Sequence, residues 1–427
     1  MSLFFNKEVN SLLSKKQSTQ VLNINFDVTN HIHFVVYSVW INLEDYGTNN
    51  SIKKQHALIA LKNNLTSHPI IHPISDFILS HWKHKSYNTM KVHSQNLAGF
   101  LNYLLKHQRK IKVYNLKDLC FHHASDFLNY LTINKKSRST VLSYRATLTY
   151  FYVYLVKKGI CAHALSEFES LSSSHGFYKN KYLPPFEGVI LPSQSKSYIE
   201  HHLPEIYILR LLELASIVSP SIALGVYMQI FGGLRVGEVV NIKRSDVKTI
   251  GPYGVEGLLL NIEKGIFRTD IRDTSGSSYV KKSRDQLILG FREWLKDLYK
   301  LHCNNFVKGI ESEALFINKN GKPMTGASYR YYFNNLKKAF INYLKSSDNP
   351  NDKIASISLS NSKWSTHIGR GIFTNIIAES AQNPQDIALL RGDDNISSSL
   401  DYMSNTKRMK KNLESHLELM LNPQNHK

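Results

Sequence analysis

The sequence predicts a mainly α-helical protein with a small antiparallel β-sheet in its second half. Three observations support this prediction. Between residues 74 and 159, leucines and aromatic residues recur at helical spacing. Two short apolar runs, residues 255–262 and 286–289, are each bounded by Gly or Ser, which is typical of strands. A Ser- and Pro-rich stretch, residues 161–197, has the composition of a linker between two helical regions.

We expect the chain to divide into four segments. Residues 1–70 would form an N-terminal extension or an accessory domain, and residues 71–165 a helical domain. Residues 166–200 would be the linker, and residues 201–427 a second large domain with a C-terminal tail. Within the first segment, β-branched and aromatic residues at 23–39 indicate strands.

Helix signals continue through both predicted domains. The Ser- and Thr-rich run at 137–140 (SRST) caps a helix that Gly159 ends. The uncharged stretch 214–234 is long enough to cross a bilayer, but Pro220 interrupts it, so two soluble helices that meet at Ser219 are expected. Further helices are predicted in the second domain, at 291–301, 327–344, 366–380, 384–390 and 407–421.

The charge of the chain indicates a polyanionic partner. It contains 53 Lys or Arg and 33 Asp or Glu, a formal net charge of +20. Residues 81–160 hold 14 Lys or Arg against two Asp, a local net charge of +12. A solvated surface usually mixes both signs, so this excess favours nucleic-acid phosphates. A membrane surface is the rival partner, but the N-terminus carries no lipidation signal.

The cysteines indicate a reducing compartment. Cys120, Cys161 and Cys303 lie far apart and form no zinc-binding pattern. The N-terminus lacks the charged-then-apolar layout of a secretory signal. We therefore expect a cytoplasmic protein.

Five residues in the second predicted domain could break a phosphodiester without a metal ion. In chain order they are Arg235, His367, Arg370, Asp393 and Tyr402. Arginine binds phosphate through two parallel hydrogen bonds and stays charged. His-x-x-Arg on a helix places both side chains on one face, near the positive end of the helix dipole. A tyrosine with a pKa of about 10 is a poor nucleophile, so it needs nearby cations or a base.

These motifs together resemble those of the tyrosine recombinases, the phage-integrase family. Residues 233–239 (GLRVGEV) resemble the box of the first arginine, and 367–370 (HIGR) the box of the second. Residues 390–393 (LRGD), with Tyr402 nine residues later, resemble the third box and the nucleophile. Residues 74–159 are similar to the helical core-binding domain of the family. The resemblance implies that this domain precedes an α+β catalytic domain.

The resemblance implies a site-specific DNA recombinase or integrase. Tyr402 would attack a scissile phosphate of double-stranded DNA, form a 3′-phosphotyrosine and release a 5′ hydroxyl. A 5′ hydroxyl from another strand would then attack in return, so neither a nucleotide cofactor nor a metal is required. Arg235 and Arg370 would hold the phosphate, and His367 would assist proton transfer at the tyrosine. Strand exchange would require several protomers, and we expect a homotetramer on DNA.

The resemblance also implies a general-acid lysine in the hairpin of the small sheet. We choose Lys264, which follows the first apolar run. Lys281 and Lys282, which precede the second run, are competitors because the connection between the runs is long.

Three features depart from the family pattern. Asp393 stands where the family has His or Trp, Gly371 follows the second arginine, and the connection at 266–279 is long. A carboxylate near a phosphate must be protonated or paired with a cation. Arg235, Arg370 and Arg391 are its candidate partners, so we expect Asp393 to orient an arginine rather than bind phosphate.

Two other functions are compatible with these motifs. One is a catalytically inactive DNA-binding protein with the same fold, although all the expected catalytic residues are present. The other is a topoisomerase of the type IB kind that uses the same tyrosine chemistry. The predicted helix at 407–421 could pack on a neighbouring protomer or on its own domain.

Overall fold

The computed structural model describes most of the chain. The described residues are 32–44, 51–64, 68–168, 170–171, 181–193, 203–271, 273–362, 364–393 and 396. The chain forms two compact units, residues 1–197 and residues 198–427. The described part is mainly helical with small antiparallel sheets, which confirms the predicted fold class.

The helices of the first unit begin where small polar residues can cap them. Ser86 and Ser137 each accept a hydrogen bond from the backbone N–H three residues later, in agreement with the predicted cap at Ser137. The four helices are α1 (Ser75–Trp82), α2 (Tyr87–Ile111), α3 (Phe121–Ile133) and α4 (Arg138–Lys157). Short 3-10 helices span Leu116–Asp118 and Leu165–Glu167.

A long β-hairpin packs against the helices of the first unit. Strands β1 (Ile32–Glu44) and β2 (Ser51–Asn63) pair antiparallel, and β3 (Ile70–Ile71) pairs with β2. The Asn102 side chain of α2 accepts from the N–H of Phe34 at 2.7 Å and donates to its carbonyl at 2.9 Å. The described part of residues 1–70 therefore shares one compact unit with the helices, and residues 23–31 of the predicted strand region lie outside the described residues.

Part of the segment predicted as a linker is anchored to the first unit. Strands β4 (Ser170–Leu171) and β5 (Lys181–Tyr182) form a small antiparallel pair. Asn129 and Thr132 of α3 donate to the carbonyls of Gly188 and Ile190, at 3.0 and 2.8 Å. The four-segment division of the chain stays a prediction.

The second unit contains eight helices among its described residues. They are α5 (Ile206–Val218), α6 (Pro220–Gly232), α7 (Val236–Val239), α8 (Trp294–His302), α9 (Gly326–Ser346), α10 (Pro350–Asn361), α11 (His367–Ser380) and α12 (Pro384–Arg391). Short 3-10 helices span Arg244–Asp246 and Pro252–Gly254, and a π-helical turn spans Cys303–Val307. As predicted, α5 and α6 meet at Ser219. Among the described helices, none is long and apolar enough to cross a membrane.

The predicted small sheet is present in the second unit. Strands β6 (Val247–Ile250), β7 (Gly257–Ile262) and β8 (Arg284–Leu289) form an antiparallel sheet with β7 in the middle. Strand β8 begins two residues before the apolar run that predicted it, so Arg284 lies within the sheet, opposite Ile262.

Some helix boundaries differ from the predictions for local reasons. Helix α8 begins at Trp294 rather than 291, and Arg292 just before it has a positive φ of 48°. Helix α10 was not predicted; it has little apolar periodicity, but the Asn349 side chain caps it and Pro350 is its first residue. The predicted helix at 407–421 lies outside the described residues.

Candidate active site

Arg235 lies just beyond the end of the buried helix α6. The helix ends at Gly233, whose φ of 66° suits glycine and whose Cβ, if present, would lie 2.4 Å from the Phe373 ring. Arg235 is the residue just before α7, and its backbone N–H donates to Oε2 of Glu238 at 2.8 Å. Its side chain is 23% exposed, so the guanidinium is held by the protein yet reachable from solvent.

Arg370 lies in α11, which packs closely on α6. Gly369 makes this packing possible, because a Cβ there would lie 2.7 Å from the Cβ of Gln229. The Arg370 guanidinium donates to the carbonyl of Gly233 at 2.5 Å and to that of Arg391 at 3.0 Å. Burial, followed by the charge of Arg235, lowers the pKa of Arg370 to about 10, which still leaves it protonated at neutral pH.

Asp393 joins the two arginines. Its Oδ1 accepts from Nη2 of Arg235 at 2.5 Å and from Nη2 of Arg370 at 2.7 Å. Its Oδ2 lies 3.2 Å from Nε of Arg391. Gly392, with a φ of 66°, ends α12 and turns the chain so that Asp393 reaches this position. All three predicted candidates for the partner of Asp393 therefore contact it.

Glu238 is the buried anchor of Arg235. Its carboxylate has no exposed surface and accepts four hydrogen bonds, two from Arg235 and two from Arg284. Burial alone would raise the pKa of Glu238, but hydrogen bonds and charge from Arg284, and then from Arg235, hold it below its ordinary value. In turn, although burial would lower it, the pKa of Arg235 is raised by Glu238 and Asp393. The pair is therefore ionised, as a buried carboxylate with this many donors should be.

The sequence analysis missed Arg284 and Gln286, two residues of β8 that belong to this network. Arg284 binds Glu238, and Gln286 donates from Nε2 to the carbonyl of Leu390 at 3.0 Å. In the sequence, Arg284 is recognisable only as an arginine at the edge of the apolar run 286–289. That position does not reveal the partner, because Glu238 lies 46 residues earlier in the chain.

His367 is the first residue of α11, directly after Thr366, as predicted. Its side chain is exposed, whereas Arg370, one turn later, is 5% exposed. The N–H groups at this end of the helix and the helix dipole favour an anion beside His367. The helix therefore supplies a fixed cation and an accessible imidazole one turn apart.

Lys264 lies just beyond the end of β7. Its backbone N–H donates to the Ser283 hydroxyl at 2.9 Å, and its side chain is exposed. The register of β7 and β8, continued two residues, places Lys264 opposite Lys282. Lys264, Lys281 and Lys282 are thus all exposed at the same end of the hairpin, and the choice of Lys264 stays a prediction.

The long connection between β7 and β8 lies on the body of the second unit. The Asn241 side chain donates to the carbonyl of Ser278 at 2.6 Å and accepts from the N–H of Phe267 at 3.0 Å. The Ser278 hydroxyl accepts from the N–H of Gly326, at the start of α9, at 2.9 Å. These bonds attach the connection at Phe267 and Ser278 to the segment that follows α7 and to the start of α9, so the additional length does not separate the two strands.

Tyr402 lies outside the described residues. Of the tyrosines that could replace it as nucleophile, Tyr329 is fully buried in the core, and its hydroxyl donates to Gln229 at 2.9 Å. Burial raises the pKa of Tyr329 well above its ordinary value, so it is a structural residue. Tyr331, two positions further along α9, is exposed.

The network as a whole is a cationic site with little freedom to move. It contains Arg235, Arg284, Arg370 and Arg391 against the carboxylates of Glu238 and Asp393, a net charge of +2. Fixed cations of this kind stabilise negative charge that develops on a bound phosphate. The geometry is therefore suited to bind and polarise a singly charged phosphodiester.

The same architecture occurs in solved structures. No protein-family model matches the sequence, and neither does any curated protein. The Tn1549 transposon integrase in complex with circular intermediate DNA is similar over 80% of this chain and 98% of that chain, with a TM-score of 0.52 and 15% identity. The XerH site-specific recombinase bound to palindromic difH substrate is similar over 79% and 82% of the two chains, with a TM-score of 0.53 and 16% identity.

The chain has the tyrosine-recombinase fold. The similarity extends over both compact units, and it confirms the predicted resemblance at the level of the fold. At 15–16% identity the fold is all that the similarity shows, and the roles of individual side chains depend on the geometry of the site.

Proposed function

We propose that this protein is a site-specific DNA recombinase that cleaves and rejoins DNA strands through a 3′-phosphotyrosine. One observation carries the proposal: Arg235 and Arg370, 135 positions apart in the chain, aim Nη2 atoms at a single carboxylate oxygen of Asp393. Two guanidinium groups that converge on one oxygen are arranged to hold a phosphate. The fold shared with integrases and recombinases that are solved with DNA supports the same substrate.

The reaction balances without a cofactor. The Tyr402 oxygen attacks the phosphorus while the bond to the 5′ oxygen breaks, and the tyrosine proton passes to His367. Lys264 donates a proton to the departing 5′ oxygen, so the products are a 3′-phosphotyrosine and a 5′ hydroxyl. Rejoining is the reverse attack by a 5′ hydroxyl. Arg235 and Arg370 neutralise the charge that grows on the non-bridging oxygens.

Asp393 orients these two arginines in the proposed mechanism. Its carboxylate replaces the neutral side chain of the family and would repel a bare phosphate. Its contacts with three arginines offset its charge, and the site retains a positive excess.

The active protein would be a homotetramer on double-stranded DNA in the cytoplasm. Exchange of strands between two duplexes requires four cleaving tyrosines, one for each strand. The three cysteines are free thiols, which agrees with a reducing compartment.

The test is covalent trapping on nicked DNA substrates. The parent protein should yield an adduct that survives denaturation, and Tyr402→Phe should abolish the adduct while DNA affinity changes little. Tyr331→Phe is the matched control, since Tyr331 is an exposed tyrosine of the same unit, and it should keep the adduct. If the parent binds DNA but forms no adduct on any nicked substrate, the protein is a DNA-binding module and the proposal fails.

A further inference from the structure

Of the four arginines in the cationic network, Arg284 is the one that none of the family boxes contains. It is the first residue of β8, and its side chain is 9% exposed. Its Nη1 donates to Oε1 of Glu238 at 2.7 Å, and its Nη2 donates to Oε2 at 3.0 Å. This two-pronged contact occupies the side of the carboxylate that Arg235 leaves open.

Glu238 therefore divides its charge between two arginines. Arg235 also contacts both oxygens, through its backbone N–H at 2.8 Å and its Nη1 at 3.0 Å. Without Arg284, Arg235 would be the only cation in contact with a fully buried carboxylate. A buried ion pair of that kind is close to neutral, so less of the positive charge of Arg235 would remain for a phosphate.

Arg284 also contributes to the net positive charge of the network. With Arg284 the network carries +2, and without it the network carries +1. A phosphodiester carries one negative charge, and attack by an oxyanion brings the transition state close to two. The additional positive charge therefore matters more to the transition state than to the bound ground state.

Arg284 also touches the third box. A Cβ on Gly392 would lie 2.2 Å from Cδ of Arg284, so glycine alone lets the arginine pass beneath the turn that carries Asp393. The Nε of Arg284 donates to Oε1 of Gln286 at 2.9 Å, and Gln286 binds the carbonyl of Leu390. One side chain thus contacts both the first-box carboxylate and the third-box turn.

We infer that Arg284 is a positioning residue that neutralises Glu238, leaves the charge of Arg235 available for the scissile phosphate, and fixes the turn of Asp393. The inference rests on the proposed recombinase function. Arg284 acts through its neighbours and does not itself contact DNA.

The test uses the full chain with Arg284→Met, which keeps the length of the side chain and removes its charge. The rate of adduct formation is measured at saturating protein on a nicked phosphodiester substrate and on the same substrate with a methylphosphonate at the scissile position. The methylphosphonate is neutral and needs less positive charge from the site. We expect a loss of about 10²-fold on the phosphodiester, the effect of removing one preorganised charge. The loss on the methylphosphonate should be much smaller, and DNA affinity should stay within about threefold of the parent value.

The matched control is Arg210→Met. Arg210 also binds a buried carboxylate, that of Asp352, at 2.8 Å, but on α5 and α10 rather than in the candidate site. Its rates should equal those of the parent on both substrates. A second variant, Arg284→Lys, retains the charge without the two-pronged contact. It should react with the phosphodiester faster than Arg284→Met but more slowly than the parent. If Arg284→Met does not fold, Arg284→Lys is compared with the parent on the two substrates instead.

Each other outcome overturns the inference in a distinguishable way. Equal losses on the two substrates would make Arg284 a structural residue only, as would a Lys variant no better than Met. If the Met variant reacts like the parent, Arg284 is a bystander. If the parent itself forms no adduct, the proposed function fails and the inference fails with it.

Discussion

At the scale of the residue, Asp393 is the position at which this site departs from the third box of the tyrosine recombinases that the sequence resembles. A carboxylate that links Arg235 and Arg370 can hold the two guanidinium groups at a fixed separation before a substrate binds. The same carboxylate reduces the positive charge of the site. The contact with Arg391 and the presence of Arg284 offset that reduction. The Asp is therefore tolerated here because four arginines surround the two carboxylates of the network.

The variants Asp393→Asn and Asp393→Ala separate two effects of Asp393. One is the orientation of Arg235 and Arg370, and the other is the negative charge of the carboxylate. Asn keeps an oxygen that can accept from Arg235 and Arg370, so it should retain part of the cleavage activity. Ala removes the link, so both arginines can turn away, and most of the activity should be lost. Single-turnover formation of the covalent adduct measures both. If Ala is as active as the parent, Asp393 does not orient the arginines and the assignment of the third box is wrong.

At the scale of the element, the contact between α6 and α11 sets the distance between the two arginine boxes. Arg235 follows the end of α6, and Arg370 projects from α11 to the carbonyl of Gly233. Gly369 allows the close approach. The site therefore depends on helix packing as much as on the arginines themselves.

Gly369→Ala should weaken both stability and catalysis. The new methyl would lie 2.7 Å from the Gln229 Cβ, so the helices must separate slightly. The expected loss is about 1–3 kcal/mol in the free energy of unfolding, reduced by the better helix propensity of alanine, with a fall in the melting temperature. Gly265→Ala is the control for stability, since a Cβ there meets nothing within 4 Å and it should melt like the parent. An unchanged melting temperature for Gly369→Ala would contradict the packing argument.

The β7–β8 hairpin presents the lysines that could act as the general acid. Lys264→Ala should slow cleavage of an ordinary phosphodiester by about 10²-fold or more, because the departing oxygen then lacks its proton donor. A substrate with sulfur at the 5′ position should lose much less, because a thiolate leaves without protonation. Comparison of the two rates for Lys264→Ala, Lys281→Ala and Lys282→Ala identifies the acid. If Lys264→Ala slows the cleavage of both substrates equally, Lys264 is not the general acid.

At the scale of the whole molecule, the excess of positive charge lies mainly in the first unit. Residues 81–160 have a net charge of +12 and contain its helices α2, α3 and α4. That unit has its own buried core, in which Phe77, Phe100 and Phe151 are fully enclosed. Phosphate contacts made by such a surface release counterions, which makes binding sensitive to salt.

A fragment of residues 1–197 should therefore bind duplex DNA with a steep salt dependence. If about five phosphates are neutralised, the plot of log affinity against log salt should have a slope of about −4 to −5. Fluorescence anisotropy at several salt concentrations measures it, and the full chain should be at least as steep. If the DNA affinity hardly changes between low and physiological salt, these lysines and arginines do not bind phosphates and form only a solvated surface.

Most of the helices, two strands of the small sheet and the three boxes were predictable from the sequence. Helical spacing and capping residues act over a few positions, so α4, α9, α11 and α12 were predicted close to their observed bounds. The order of Arg235, His367, Arg370 and the third box was likewise readable from the chain. Each of these features depends on residues that are close together in the chain or on their order, so it can be recognised in the sequence.

Only the tertiary structure decided which charges meet. The Arg235–Asp393 contact joins residues 158 positions apart, and the Arg284–Glu238 contact joins residues 46 apart. Helix α10 was missed because its apolar spacing is weak and its place depends on packing against α9. The sequence offered three candidate arginines as partners for Asp393 but none of its patterns paired Arg284 with Glu238, since ion pairs depend on the distance and burial that result when the helices and the sheet pack.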